Sequence, residues 1–104
     1  MEQIKLLKRA MEIRKGGDVA ALATIIRTKG STPRKTGSRM IVFPCGKIEG
    51  TIGGGCGEAE IIEKAIEVIL TNIPLTQRVD LTNGLFYEDG GICGGIMDVF
   101  IEPI

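Results

Sequence analysis

The stretch Gly50–Glu60, GTIGGGCGEAE, joins two kinds of sequence pattern, and the rest of the chain is organised around it. The residues before it, from Met40 onward, are rich in apolar and β-branched side chains, whereas those after it carry apolar side chains at helical spacing. The consecutive glycines Gly53–Gly55 allow a sharp turn and leave the amides open to another molecule, because no Cβ stands in the way. The stretch therefore predicts a strand, a glycine turn and a helix, in that order.

The beginning of that helix is a candidate anion site. The first N–H groups of a helix have no partner within it, and its dipole places partial positive charge there, so the two effects together suit a phosphate. Cys56 lies at the same place, where a thiolate would be stabilised for the same reason. The structural alternative is a tight turn with a small buried thiol, and both interpretations stay open at this point.

Composition indicates one small globular domain. Of 104 residues, 43% are hydrophobic and 25% are charged, which is enough for a single core. The 13 basic residues balance the 13 acidic ones, and this argues against a general nucleic-acid-binding protein. No apolar run is long enough to span a bilayer and the N-terminus lacks a signal-peptide core, so we expect a cytoplasmic protein without membrane association.

The remaining pattern predicts an α/β fold with a mixed β-sheet and two main helices over one or both of its faces. Amphipathic helices are expected at residues 2–15 and 57–71, and the broad apolar stripe of the first is expected to pack on the sheet. The run at residues 18–27 is almost continuously apolar, which suits a strand buried on both faces. Further strands are expected at residues 40–43, 47–52, 75–81 and 96–102.

Glycine-rich loops at residues 30–37, 53–57 and 90–95 are each predicted at a strand end. Ligands of α/β sheets gather at such ends, so we expect these loops to converge on a pocket walled by backbone amides. The first loop adds hydroxyl groups and the guanidinium of Arg34, whose planar fork matches a phosphate or carboxylate; the alternative is a solvated basic loop. The candidate binding residues are Ser31, Thr32, Arg34, Gly37, Arg39, Gly53, Gly54, Gly55, Cys56, Gly94 and Gly95.

Cys56 and Cys93, each bracketed by glycines, are the candidate catalytic residues. A thiolate there could act as a nucleophile, a sulfur carrier or a soft-metal ligand, although a buried cysteine is often only a small hydrophobe. The chain has no histidine, so neither a Cys–His pair nor a histidine-containing zinc site is expected, and no resident metal is predicted. Nucleotide motifs fail as well, since GxGxxG begun at Gly53 meets Glu58 where its last glycine should be.

Three blocks of sequence together resemble the XdhC/CoxI family, whose members are accessory proteins of molybdenum hydroxylases such as xanthine dehydrogenase and aerobic carbon monoxide dehydrogenase. The blocks are GSTPRKTGSRMIV at Gly30–Val42, GTIGGGCGEAEI at Gly50–Ile61 and CGGIMDVFIEPI at Cys93–Ile104. The resemblance implies a non-enzymatic chaperone that binds molybdopterin, the organic part of the molybdenum cofactor, as cargo. It also implies sulfuration of that cofactor with a cysteine desulfurase and delivery to the molybdenum hydroxylase apoenzyme. Either candidate thiol could then lie near molybdenum or relay sulfur.

One departure from the family pattern concerns length. Typical long members carry a second, Rossmann-like domain, whereas this sequence stops at Ile104, so we expect residues 1–104 to form one XdhC/CoxI-like domain without it. A separate Rossmann-like chain or a second copy in a homodimer is then an expected partner. Two alternatives stay open: a sulfurtransferase-like enzyme in which Cys56 or Cys93 carries a persulfide, and a structural subunit whose glycine loops pack on a partner chain.

Overall fold

A computed structural model describes residues 2–53, 57–82 and 94–104 of the chain. Both predicted helices and the predicted strands occur close to their expected positions, and the α/β class is confirmed. The elements are α1 (Glu2–Lys15), β1 (Ala21–Lys29), β2 (Arg39–Val42), β3 (Ile48–Gly50), α2 (Glu58–Thr71), β4 (Leu75–Asp80) and β5 (Ile96–Pro103).

The strands form a five-stranded sheet in the order β3-β2-β1-β5-β4. Each pairing between these described strands is antiparallel, which corrects the expectation of a mixed sheet. Consecutive strands that pair in parallel need a crossover connection between them. Here the crossover helix α2 connects β3 to β4, and these strands lie at opposite edges of the sheet, so no parallel neighbours result.

The two helices cover opposite faces of the sheet. Helix α2 buries Ile61, Ala65 and Val68 in the larger core cluster, against side chains such as Ala23 and Ile25 of β1. Helix α1 contributes Ala10 and Ile13 to a smaller cluster on the other face, where they pack with Leu22 and Ile41. Neither described helix has the length and apolar character needed to span a bilayer.

Helix α1 buries a narrower stripe than the sequence predicts. Ile4, Leu7 and Met11 belong to the expected apolar stripe, yet they are 55%, 38% and 58% exposed. The reason is that α1 packs mainly over β2, close to one edge of the sheet, so that one side of the helix is enough to cover the apolar surface there.

Strand β1 is buried on both faces only in its first half, because a β-bulge interrupts it after Ile25. Ile25 pairs with Val99 and Arg27 with Asp98, so Ile26 is an extra residue that faces solvent. With strict alternation Arg27 would follow Ile25 into the core beneath α2, where an unpaired guanidinium would be very costly. The bulge instead moves Arg27 to the opposite face of the sheet, which is the face that α1 covers only in part.

Candidate functional site

The glycine-rich loops meet at one end of the sheet, where β1, β3 and β4 terminate. The loops that follow β1, β3 and β4 all leave from this end of the sheet, since these strands run in the same direction. Gly95 lies so close to the first loop that an added Cβ would be 2.3 Å from the carbonyl oxygen of Ser31 and 2.8 Å from that of Lys29. Leu81, after β4, donates its N–H to the carbonyl of Gly95 at 2.7 Å.

The second loop approaches the end of β4 through Gly57. This residue precedes α2 with a φ of 76°, and an added Cβ would lie 2.4 Å from Cγ1 of Val79. Only glycine meets both requirements without strain. Gly54, Gly55, Cys56 and Cys93 lie outside the described residues, so their roles in binding and catalysis stay predictions.

A cavity of about 630 Å³ opens beside this end of the sheet. It lies between α1, the first loop, the start of β2 and the end of β3. Among the residues that line it are Arg34 and Arg39, both predicted for anion binding, and three basic residues of α1. Its volume is within the roughly 300–1,000 Å³ range of sites for small ligands and cofactors. The charged side chains along its wall are Lys5, Lys8, Arg9, Glu12, Arg34, Arg39 and Glu49.

The charges in this cavity leave cationic groups for a ligand. Arg9 is held by Glu49, with Nε 3.1 Å from Oε2, and its guanidinium lies over the ring of Phe43. Within residues 2–53, 57–82 and 94–104, the ion pairs are this one and Arg78–Asp98, so Arg34 belongs to neither. Arg34 and Arg39 thus stay the predicted anion-binding groups, and they line one cavity together with the lysines of α1.

Local hydrogen bonds give the first loop its shape. Thr32 donates its hydroxyl to the carbonyl of Arg34 at 2.8 Å, so this side chain shapes the loop. Gly37 donates its N–H to Ile25 at 2.8 Å and accepts a bond from Nη1 of Arg39 at 3.3 Å. Gly37 thus orients Arg39, while Ser31 is exposed and provides the carbonyl against which Gly95 packs.

The start of α2 carries a negative charge of its own. Thr51 donates its hydroxyl to Oε2 of Glu58 at 2.5 Å and accepts the N–H of Gly53 at 3.1 Å. A carboxylate in the first turn is favourable to the helix dipole, and it also competes with any anion that approaches the same N–H groups. Because Thr51 lines the cavity too, it joins the cavity wall to the beginning of α2.

Sequence reasoning missed the contribution of α1 to this cavity. Lys5, Lys8, Arg9 and Glu12 follow the spacing i, i+3, i+4 and i+7, which places them on one side of a helix. That spacing was the available signal, but a charged helical face is usually solvated. In this protein the charged face of α1 lines a cavity instead, because α1 packs over β2 and thereby turns this face toward the first loop.

A second charged pair lies on the same face of the sheet, beyond β1. Nε of Arg78 lies 2.9 Å from Oδ1 of Asp98, and its Nη2 lies 3.4 Å from Oδ2. The hydrogen bond from Arg78 lowers the pKa of Asp98, aided by the positive charges of Arg78 and Arg27, while burial acts in the opposite direction. Asp98 is only 8% exposed and is therefore a fixed anionic group in the sheet.

This pair predicts a loss of stability in acid. Because the pKa of Asp98 is lower in the folded protein than its ordinary value of 3.8, the unfolded chain takes up the proton first as the pH falls. The stabilisation is complete above the ordinary pKa and is lost as the pH falls through the folded one. We expect the free energy of unfolding, measured with urea between about pH 6 and pH 2, to decrease less steeply in Asp98→Asn than in the wild type.

Some acid dependence should remain in that variant, because hydrogen bonds from Thr82 also lower the pKa of Asp80. Glu67→Gln removes an exposed carboxylate of α2 and is the matched control. An Asp98→Asn protein with the full wild-type slope would contradict the assignment.

Comparison with known proteins places the chain in a family. The model of the XdhC and CoxI family matches residues 13–80, which is more than half of the chain. An uncharacterized Escherichia coli protein, YqeB, is 37% identical over 82 residues, or 79% of this chain. A probable xanthine dehydrogenase subunit of Bacillus subtilis is 33% identical over 82% of it. The molybdenum cofactor insertion chaperone PaoD of Escherichia coli is 33% identical over 62% of it.

A solved structure agrees with these similarities. The crystal structure of a xanthine dehydrogenase from Bacillus halodurans matches 99% of this chain with a TM-score of 0.81 and 31% identity. The chain spans only 15% of YqeB, 26% of the Bacillus subtilis protein, 20% of PaoD and 30% of the Bacillus halodurans chain. Sequence and fold lead to one conclusion: the chain belongs to the XdhC and CoxI family.

Proposed function

We propose that this chain is an accessory module for the molybdenum cofactor, which it holds as cargo for a molybdenum hydroxylase of the xanthine dehydrogenase type. Family membership and the names of two relatives, a molybdenum cofactor insertion chaperone and a probable xanthine dehydrogenase subunit, support this proposal. The observation that carries it is the cavity that Arg34 and Arg39 line, next to the end of the sheet where the glycine-rich loops meet.

The residues of the cavity fit the chemistry of this cargo. Molybdopterin is a pterin that carries a phosphate and a dithiolene, so it needs a cationic pocket of moderate size. Arg34 and Arg39 would bind the phosphate, and Lys5 and Lys8 would add positive charge along the wall. The role of the protein is then to bind and orient the cofactor and to shield it from water until it is transferred.

The thiols and the partners are finer parts of the same proposal. Cys56 or Cys93 would lie toward the metal end of the cargo, and one of them could relay sulfur that a cysteine desulfurase supplies. The hydroxylase apoenzyme is the proposed acceptor. A separate Rossmann-like chain and a second copy of this chain are further proposed partners, and we propose that these events occur in the cytoplasm.

Anaerobic co-purification of the protein with molybdopterin tests the proposal, with bound cofactor measured as the fluorescence of its oxidised pterin derivative. We expect pterin with the wild type and at least about tenfold less with Arg34→Ala/Arg39→Ala, because charge-assisted hydrogen bonds contribute about 1.5–3 kcal/mol each. Lys47→Ala, which removes a cation at the opposite end of the sheet, is the matched control and should retain the wild-type amount.

Two further results would separate the remaining alternatives. Cys56→Ser and Cys93→Ser variants that keep the pterin but lose sulfur transfer would assign the thiols to a step after binding. If no pterin follows the wild type even when the hydroxylase and the desulfurase are co-expressed, the chaperone proposal is wrong, and a purely structural role becomes the better explanation.

A further inference from the structure

Strand β4 forms one edge of the sheet, with β5 as its strand neighbour in the part of the chain that the structure describes. Leu81, just after β4, donates its N–H to Gly95 and accepts the N–H of Gly94, so its backbone groups point toward the β5 side. Because this direction alternates along a strand, the N–H and C=O groups of Arg78 and Asp80 point away from β5. Such outward-pointing groups can pair with a further strand.

The carbonyl of Arg78 supports this direction. It accepts a hydrogen bond from Nε2 of Gln77 at 3.1 Å, so a side chain of β4 itself contacts it. An incoming strand can replace that contact at little cost, because one hydrogen bond is exchanged for another.

Strand β4 lacks the features that usually protect an edge strand from pairing. It is six residues long, contains neither proline nor lysine, and pairs with β5 without a bulge. The guanidinium of Arg78 is bound to Asp98 of β5, which draws it back from the edge, and the carboxylate of Asp80 accepts the N–H of Thr82 at 2.8 Å. The opposite edge strand, β3, is only three residues long, so its shortness protects it.

The two charges of β4 can complement those of a second β4. Arg78 and Asp80 are two positions apart, so they lie on one face of the sheet. If two β4 strands run antiparallel about a two-fold axis at Val79, Arg78 lies directly opposite Asp80 of the partner subunit. The symmetry repeats this contact on the other side of the axis. Opposite charges in this cross-strand position stabilise the pairing of two strands.

Other symmetric alignments of the two strands are less favourable. An axis at Arg78 sets the two Arg78 side chains directly against each other, and like charges in that position are destabilising. An axis at Gln77 places Asp80 opposite Pro74, which has neither a charge nor an N–H group. In the alignment about Val79, by contrast, Arg78 and Asp80 of the partner subunit exchange both of their backbone hydrogen bonds.

We infer that β4 is the site at which a second copy of this chain binds, through antiparallel pairing of the two β4 strands about a two-fold axis at Val79. The two sheets then join into one continuous sheet, and a two-fold contact of this kind is closed, so assembly stops at the dimer. The inference rests on the proposed function only in taking a second copy as the partner, and it does not depend on cofactor binding.

Sedimentation equilibrium of the full chain without cofactor tests the inference. We expect the average mass of the wild type to approach twice that of one chain as the protein concentration rises to about 200 µM. Asp80→Lys places a cation opposite Arg78 of the partner subunit, so it should raise the dissociation constant at least about tenfold. Glu67→Lys makes the same change of charge at an exposed position of α2 and should dimerise as the wild type does.

Amide hydrogen exchange locates the contact. The N–H groups of Arg78 and Asp80 should exchange slowly in concentrated protein and rapidly in dilute protein, because only the dimer gives them a partner strand. The N–H of Leu81 is bonded to Gly95 within the chain and should exchange at the same rate at both concentrations.

The inference is overturned if the wild type stays monomeric over the whole range, or if Asp80→Lys dimerises with wild-type affinity. It is equally overturned if the concentration-dependent protection falls on amides other than those of Arg78 and Asp80. A monomer that still co-purifies with pterin would contradict this inference alone, whereas a dimer without pterin would contradict the proposed function alone. Urea unfolding of each variant in dilute solution, with a midpoint close to that of the wild type, establishes that the comparisons are made on folded protein.

Discussion

Gly95→Ala is expected to destabilise the protein by about 3 kcal/mol or more, since overpacking against rigid neighbours is among the larger single-residue effects. The new Cβ would lie 2.3 Å from the carbonyl oxygen of Ser31 and 2.8 Å from that of Lys29. Both obstacles are backbone atoms, so relief requires the first loop and the start of β5 to separate. The free energy of unfolding in urea measures the effect.

Gly46→Ala provides the matched control for this prediction. Gly46 has a φ of 91° and no atom within 4 Å of an added Cβ, so this substitution carries a conformational cost alone. That cost should be about 1–2 kcal/mol. If Gly95→Ala were as mild as Gly46→Ala, the close approach of Gly95 to the first loop would be wrong.

Ile61→Ala should be the most damaging of the simple truncations on α2, with a loss of about 3 kcal/mol within the usual 2–5 kcal/mol range for such residues. Ile61 is completely buried in the cluster between α2 and the sheet, so the removed methyl groups leave a cavity and lose their contacts. The free energy of unfolding is again the measurement.

Met11→Ala is the counterpart on α1. Met11 is 58% exposed although it belongs to the apolar stripe that the sequence predicts to be buried. We expect a change within about 0.5 kcal/mol, as for most surface positions. A loss as large as that of Ile61→Ala would mean that the outer side of α1 is covered in solution.

The elements of this fold were accessible from the sequence because their signals are local. Helical spacing and the glycine before it located α2, and the alternation at residues 96–102 located β5. The position of the glycine-rich loops at strand ends follows from the same local patterns. Which strands become neighbours depends on tertiary packing, and for that reason the antiparallel order of the sheet was not predicted.

The errors in burial have a physical cause as well. An apolar stripe shows which side chains a helix can bury. How many of them it does bury depends on the width of the sheet surface beneath the helix, as the exposed Ile4, Leu7 and Met11 show. Likewise, the apolar run before Arg27 hides the extra residue at Ile26, because a bulge leaves no mark in composition. The cavity of Arg34 and Arg39 depends on the packing of α1, so its basic wall could not be assembled from spacing alone.

The register of the central pair, β1 with β5, has a consequence for how the molecule folds. Ala21 pairs with Pro103, so the innermost strand contact joins residues 82 positions apart in the sequence. Closing such a long loop is slow, and it is impossible on the ribosome until the last strand has emerged. We therefore expect the sheet to close only after β5 has left the ribosome, with the apolar side chains of β1 exposed to chaperones or to aggregation until β5 inserts between β1 and β4.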